Sequence, residues 1–315
     1  MKILVTGAAG FIGSNLCERL LEDANVEVVG IDAFVGPTPK KFTFQNLDNL
    51  LKHQRFTFLR ENLLEVEWEK TLEGIEYVYH LAGMPGVRSS WGEDFQNYVA
   101  FNILATQRLL EACRHVSLKK FIYASTSSVY GEKRGKVSEE LVPEPLSPYG
   151  ITKLTGEYLC RVYHKSFRVP IVILRYFTVY GPRQRSDMAF HRFIHAMQQG
   201  MPVTIYGDGA QTRDFTYIDD CVAATAAVMN AEGVVGETIN IGGKQRASVL
   251  DVIALLEQIL RQRAKLTFID QAIGEPKHTW ADISKAENLL KYQPAFNLEA
   301  GLKNEIDYIE ELYQS

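Results

Sequence analysis

The sequence predicts an α/β protein, a doubly wound parallel sheet with a smaller interleaved C-terminal domain. Three observations carry this. Short β-rich runs, several continuously apolar as strands covered on both faces are, alternate with helix-like patterns through the first half. A glycine-rich turn joins the first run to the first helix. Later, Pro182, Gly200, Pro202, Gly207 and Gly209 cut the chain into short segments. A length of 315 residues, against roughly 150 per domain, fits two domains or one large elaborated one.

The elements follow in order. Residues 3–5 form the first strand; the apolar run after Lys2 stops at Thr6-Gly7, too soon for the core of a leader peptide. Further strands are expected at 26–31, 56–59, 77–80, 120–124 and 171–175, with helices at 11–21, 98–114 and 149–167. Beyond the breaks, helices are expected at 217–230, 248–261, 283–290 and 298–313, and strands at 238–240 and 266–268. There is no repeat and no low-complexity linker, so the second domain interleaves with the first.

Composition narrows the function. Hydrophobic residues are 46% and charged residues 23%, the mix of a globular chain. Lys and Arg number 34 against 38 Asp and Glu, a net charge of −4 with no basic run, which excludes the phosphate attraction that nucleic-acid binding needs. No apolar run approaches the roughly 18 residues of a membrane span. Cys17, Cys113, Cys160 and Cys221 show neither metal nor disulfide spacing and read as buried small hydrophobes, in keeping with a cytoplasmic setting. His191 and His195 read as ordinary helix residues, and no metal site is expected.

Gly7-Ala8-Ala9-Gly10-Phe11-Ile12-Gly13 follows the first strand and opens the first helix. Glycines so placed let the backbone turn, approach a pyrophosphate and pack helix on strand, while the free N–H groups of the helix start favour phosphate. The spacing is G-x-x-G-x-x-G rather than the commoner G-x-G-x-x-G, so its weight comes from its place between strand and helix. Asp32, ending the second strand, is placed to accept from adenosine ribose hydroxyls and to repel a 2′-phosphate, which selects NAD over NADP. Lys40 and Lys41 follow, but nothing fixes them at such a phosphate. Asn62 and Leu63 after the third strand, and Leu81-Ala82-Gly83 after the fourth, are expected to line the same cofactor.

Tyr149 and Lys153 open a later helix four residues apart, so phenol and ammonium share one face. A phenol with a pKa of about 10 is a poor base at neutral pH; a neighbouring Lys and an oxidised nicotinamide both favour its phenolate. That pair also occurs on plain surface helices. Its weight here comes from Ser125-Thr126-Ser127-Ser128, where the fifth strand ends on the sheet edge that binds ligands in open α/β folds. A simple Ser/Thr-rich turn is the competing reading.

Together, Thr6-Gly7, Gly10-Phe11-Ile12-Gly13, Asp32, the hydroxyl-rich strand end and the Tyr149/Lys153 pair resemble the extended short-chain dehydrogenase/reductase family of nucleotide-sugar epimerases and dehydratases, built on a Rossmann sheet. The resemblance covers essentially the whole chain, continuing through residues 175–182 and 207–215. Residues 86–91 and 177–185 are most similar to UDP-glucuronic acid 4-epimerases. The resemblance implies NAD kept through turnover, with Tyr176 and Val179 joining its site. It implies that Tyr149 takes the C4 hydroxyl proton, directly or through Thr126, as hydride leaves C4, and that Lys153 holds the cofactor ribose and lowers the phenol pKa. The 4-keto sugar then turns over and receives hydride on its other face. It further implies an NAD-binding domain of residues 1–176 with about 215–242, and a nucleotide-sugar domain of about 177–214 with 243–315. Arg213 and Arg88 fall at the diphosphate, Tyr206 by the uracil and Glu275 on the ribose. The helices at 98–114 and 149–167 imply a homodimer.

Ser127 and Ser128 stand where the family's dehydratases carry Asp-Glu, and its decarboxylases carry Glu at the Ser128 place. A hydroxyl cannot replace a carboxylate as base, so C5 and C6 are left alone. A uronic acid oxidised at C4 is a β-keto acid that can lose CO2, so its carboxylate must be held near the ring plane and kept solvated. Arg185, offering a bidentate contact, with Thr178, Ser127 and Ser128 is the expected clamp. The expected reaction is C4 epimerisation of UDP-glucuronic acid to UDP-galacturonic acid without decarboxylation. The alternatives are a UDP-glucuronate decarboxylase of the xylose or apiose type, a neutral UDP-hexose or UDP-N-acetylhexosamine 4-epimerase, and a non-catalytic NAD-sensing module. Intact Thr126, Tyr149 and Lys153 oppose the last.

Overall fold

The computed structural model describes residues 1–314. Its strands are β1 (Lys2–Thr6), β2 (Glu27–Ile31), β3 (Phe56–Leu59), β4 (Tyr77–His80), β5 (Lys120–Thr126), β6 (Ile171–Tyr176), β7 (Val179–Tyr180), β8 (Val203–Tyr206), β9 (Thr212–Tyr217), β10 (Thr238–Ile241), β11 (Gln245–Ser248) and β12 (Leu266–Ile269). Seven of them form one sheet in the order β10-β6-β5-β4-β1-β2-β3, every pair parallel. The chain builds outward from β1 through β2 to β3, then returns to pair β4 on the other side of β1. A crevice therefore opens beyond the carboxyl ends of β1 and β4.

The alternation of side chains explains the continuously apolar strands. In β1, Ile3 and Val5 join one core cluster and Leu4 the other. The first cluster takes Leu16 and Leu20 of the helix Phe11–Leu21 and Val222 of the helix Ile218–Ala227. The second takes Leu109 and Leu110 of the helix Ala105–Cys113 and Cys160 of the long helix Pro148–Phe167. All four cysteines are buried and unpaired. Among the described residues no helix is long and apolar enough to cross a membrane.

Several elements differ from the sequence reading. The helix expected at 98–114 consists of a turn at Phe95–Tyr98, a π-helical stretch at Val99–Leu104 and an α-helix at Ala105–Cys113. β5 and β6 run on to Thr126 and Tyr176, and Tyr217 ends β9 rather than opening a helix. A three-stranded sheet β11-β9-β7 and a pair β12-β8 complete the fold. β7, β9 and β11 escape a search for apolar runs: β7 is two residues long, and β9 and β11 carry Arg213, Asp214, Gln245 and Arg246.

Candidate active site

At the crevice, the loop after β1 is packed more closely than side chains permit. Gly7 has φ +74°, and a Cβ on Gly13 would lie 2.0 Å from the Gly7 carbonyl oxygen. The helix Phe11–Leu21 starts from Gly10 with no side-chain cap, so its first N–H groups are open to an anion. Asp32 accepts from Ala9 N at 3.1 Å and Phe34 N at 2.8 Å; burial raises its carboxyl pKa and these backbone donors oppose the rise. A bare glycine cradle, an uncapped helix start and an anchored carboxylate at the end of β2 fit the pyrophosphate and adenosine ribose of NAD. Gly13→Ala is expected to abolish NAD retention, because backbone rather than a flexible side chain blocks the added methyl; purification with NAD still bound would contradict this.

Leu81 N donates to Thr6 O at 3.2 Å and Ala82 N to Thr6 Oγ1 at 3.2 Å, which holds the β4 loop beside β1. Asn62 opens a turn, its Oδ1 accepting from Leu64 N at 3.0 Å. Asn102, missed by the sequence reading, clamps the β4 loop: Oδ1 accepts from Met84 N at 2.6 Å, and Nδ2 donates to Met84 O and Thr152 Oγ1, each at 3.0 Å. It lies in the π-helical stretch, where an irregular turn commonly serves a site. A buried amide on an otherwise apolar helix was its signal.

Ser147 caps the long helix, accepting from Gly150 N at 3.1 Å with Pro148 behind it. Tyr149, Lys153 and Glu157 then fall at successive i+4 positions on one face. Burial raises the Tyr149 phenol; a hydrogen bond from Thr126 and then the charge of Arg185 pull it back. Lys153 lies with Nζ 4.4 Å from the Tyr123 ring centroid, and burial lowers its pKa to about 8 against the pull of Cys160 and Glu157. Thr126 and Arg185 act on the phenol in the direction expected of Lys153, and the Lys153 amine stands over the Tyr123 ring.

Glu157 and Arg175, each 1% exposed, form a buried pair that the sequence reading also missed. Arg175 Nε and Nη2 reach the two Glu157 oxygens at 2.9 and 2.6 Å, and Ser125 Oγ donates to Oε1 at 2.5 Å. The pair thereby ties the long helix to the ends of β5 and β6, next to Thr126. His80 bridges Thr6 and Thr106 and is kept neutral, burial taking its pKa to about 3.

On the far side, Thr126 Oγ1 accepts from Ser128 N at 3.1 Å and lies 3.2 Å from Ser128 Oγ. Arg185 Nε and Nη2 both contact the Asp187 carboxylate. Arg88 stacks on Tyr206, with Cζ 3.7 Å from its ring centroid. Arg88 Nε and Arg213 Nη2 donate to the two oxygens of Glu275 at 2.8 and 3.2 Å. The four residues expected at the nucleotide thus form one cross-linked set, with Glu275 already bonded to both arginines. Every expected site residue, including Tyr176, Thr178 and Val179, lines a single cavity of about 940 Å³. His191 and His195 lie on the helix Ala189–Gln198, against Tyr313. Among the described residues no three His, Cys, Asp or Glu side chains gather as a metal would require.

Residues 3–242 match the NAD dependent epimerase/dehydratase family. A protein of Bacillus subtilis (strain 168), described as an uncharacterized UDP-glucose epimerase, YtcB, is 61% identical over 314 residues, covering 100% of this chain and 99% of that one. The crystal structure of UDP-glucuronic acid 4-epimerase from Bacillus cereus in complex with UDP-glucuronic acid and NAD is similar at a TM-score of 0.99 and 60% identity, over 99% of this chain and 100% of that one. The Y149F mutant of the Bacillus cereus enzyme, in complex with UDP-4-deoxy-4-fluoro-glucuronic acid and NAD, gives the same TM-score, identity and coverage.

Proposed function

The chain belongs to the NAD dependent epimerase/dehydratase family, and from that premise we propose that it inverts C4 of UDP-glucuronic acid to give UDP-galacturonic acid, through a transient 4-keto sugar and without loss of CO2. The observation that carries the reading is the convergence of Thr126, Tyr149, Lys153, the glycine-rich loop and Arg185 on one cavity. The similarity to an enzyme solved with UDP-glucuronic acid and NAD supports it.

Bound NAD supplies the hydride acceptor and, in the second half-reaction, the donor. The chain does the rest. The loop from Gly7 to Gly13 and the helix start behind it hold the pyrophosphate, Asp32 holds the adenosine ribose, and Lys153 holds the second ribose. Asn62, Leu63, Leu81, Ala82, Gly83, Tyr176 and Val179 enclose the cofactor. Tyr149 accepts the C4 hydroxyl proton, with Thr126 as its hydrogen-bonding relay, and returns it after the sugar has turned. Arg88, Tyr206, Arg213 and Glu275 hold the UDP. Arg185, Thr178, Ser127 and Ser128 hold the carboxylate near the ring plane, so that the C5–C6 bond stays out of line with the C4 carbonyl. In this division of labour residues 1–176 with about 215–242 bind NAD, and about 177–214 with 243–315 bind the nucleotide sugar.

Val99, Leu104, Ile151, Tyr158 and Val162 are exposed on the helices beside the site. They give the apolar face that a second copy would cover, which supports a homodimer. The proposed compartment is the cytoplasm, where thiols stay reduced.

The description of the Bacillus subtilis relative as a UDP-glucose epimerase favours a second reading, a neutral hexose substrate. Arg185 separates the two. Arg185→Ala is expected to weaken UDP-glucuronic acid binding about 10- to 100-fold, the range of a charge-assisted contact, and to leave UDP-glucose binding within a few-fold. Titration of both sugars checks this; equal losses would contradict the uronate reading.

A further inference from the structure

The geometry points to Asp187 as the positioning residue of Arg185, its carboxylate holding one edge of the guanidinium and leaving the other edge for the carboxylate of the sugar. The inference rests on the reading of Arg185 as the holder of the uronate. Arg185 Nε donates to Asp187 Oδ1 at 2.9 Å and Nη2 to Oδ2 at 3.0 Å, a side-on fork. A guanidinium has a second fork, formed by Nη1 and the outer hydrogen of Nη2, which a carboxylate meets end-on. One carboxylate of the chain thus fixes the plane of the group without using the donors a second carboxylate needs. Among the described residues, Asp187 is the group that hydrogen-bonds this side chain.

Two simpler roles for Asp187 do not account for the pair. The backbone here is shaped without its side chain: Gln184 N donates to Gly181 O and Met188 N to Arg185 O, each at 3.0 Å. The Gln184 side chain, in turn, bonds Val179 O and His191 N. Nor does the pair add much to folding, since the Asp187 side chain is 49% exposed and such ion pairs contribute little. What the contact does restrain is a long side chain whose rotamer freedom would otherwise be lost when substrate binds. The charge of Arg185 also lowers the Tyr149 phenol, while at Tyr98 the charge of Asp187 opposes it. An error in its placement is therefore felt at the reacting group as well as at the carboxylate.

A loosened clamp exposes the 4-keto uronate to decarboxylation. The C5–C6 bond breaks, its electron pair passes into the C4 carbonyl as an enolate, CO2 leaves, and C5 takes a proton from water to give a 4-keto pentose. The oxidation that precedes this is the first half of the proposed reaction.

The test is Asp187→Asn in the full chain, scored by thermal melting, by kinetics with UDP-glucuronic acid and by trapped CO2. The melting temperature is expected to stay unchanged, KM to rise about tenfold, the low end of what loss of a charge-assisted contact costs, and CO2 to appear during turnover. UDP-glucose binding should not move, and Asp187→Glu, which keeps the charge, should restore turnover free of CO2. Because one residue acts through the other, R185A/D187N should be no worse than R185A alone. A lowered KM, an unchanged KM without CO2, or losses that multiply in the double variant would each overturn the assignment. Wild-type turnover in the same assay separates the two claims. A wild type inactive on UDP-glucuronic acid fails the functional reading, whereas an active wild type with a silent Asp187→Asn fails this one.

Discussion

Tyr149→Phe is expected to lower kcat by roughly 10³-fold, within the range for loss of a positioned acid–base group, and to leave UDP-glucuronic acid affinity nearly unchanged. The substitution removes one oxygen and keeps the ring, whose centroid lies 6.2 Å from that of Tyr98 in an edge-on contact. The lost atom is the one that Thr126 reaches and that the charge of Arg185 acts on. Tyr176, on the same cavity, bonds its hydroxyl to Thr225 at 2.9 Å, turned into the core. The corresponding Y149F mutant of the Bacillus cereus enzyme has been solved with NAD and a fluorinated substrate analogue, so in that protein the change is compatible with folding and binding. Steady-state turnover and equilibrium titration on the same preparation check the split; an undiminished kcat would remove Tyr149 from the mechanism.

The second large effect falls on stability. Glu157→Ala strands the Arg175 guanidinium in an interior where both partners are 1% exposed. Breaking a buried pair on one side costs about 3–5 kcal/mol, which for a chain of this size lowers Tm by roughly 10 °C. Among the described residues Arg175 Nη1 has no hydrogen-bond partner, and the Tyr130 side chain, its ring centroid 4.6 Å from Cζ, is the neighbour left to compensate. Ser125 loses its acceptor in the same step, loosening the strand end that presents Thr126, so activity should fall together with stability. Glu157→Gln keeps the shape and part of the bonding and should lose less. Thermal melting decides, and an unchanged Tm for Glu157→Ala would show that the pair is not holding the helix to the sheet.

What could be read in the sequence is what local spacing decides. The glycine loop, Asp32 and the Tyr149/Lys153 pair each sit at a fixed offset from a strand or helix end, so the pattern that makes the element also places the residue. Glu157, Asn102 and Asp187 have no such signature, because their roles depend on partners brought in by the fold. Glu157 meets Arg175 across the helix–sheet packing, and Asn102 meets the Met84 backbone eighteen residues away. Signals for the first pair did exist: an arginine inside an otherwise apolar β6, and a glutamate one helical turn beyond Lys153. The π-helical stretch could not be seen, because a helix that takes one irregular turn keeps nearly the same apolar spacing. β9 was hidden because Arg213 and Asp214 break the alternation that marks a strand.

In the proposed reaction one phenol and one retained cofactor move a proton and a hydride at C4 while the C5–C6 bond stays intact. Incubating the purified chain with UDP-glucuronic acid deuterated at C4, with no NAD added, and following the sugars by NMR tests it most directly. The expected product is UDP-galacturonic acid with the deuterium still on C4 and no pentose. Deuterium lost to solvent, a UDP-pentose accompanied by CO2, or turnover that requires added NAD would contradict it.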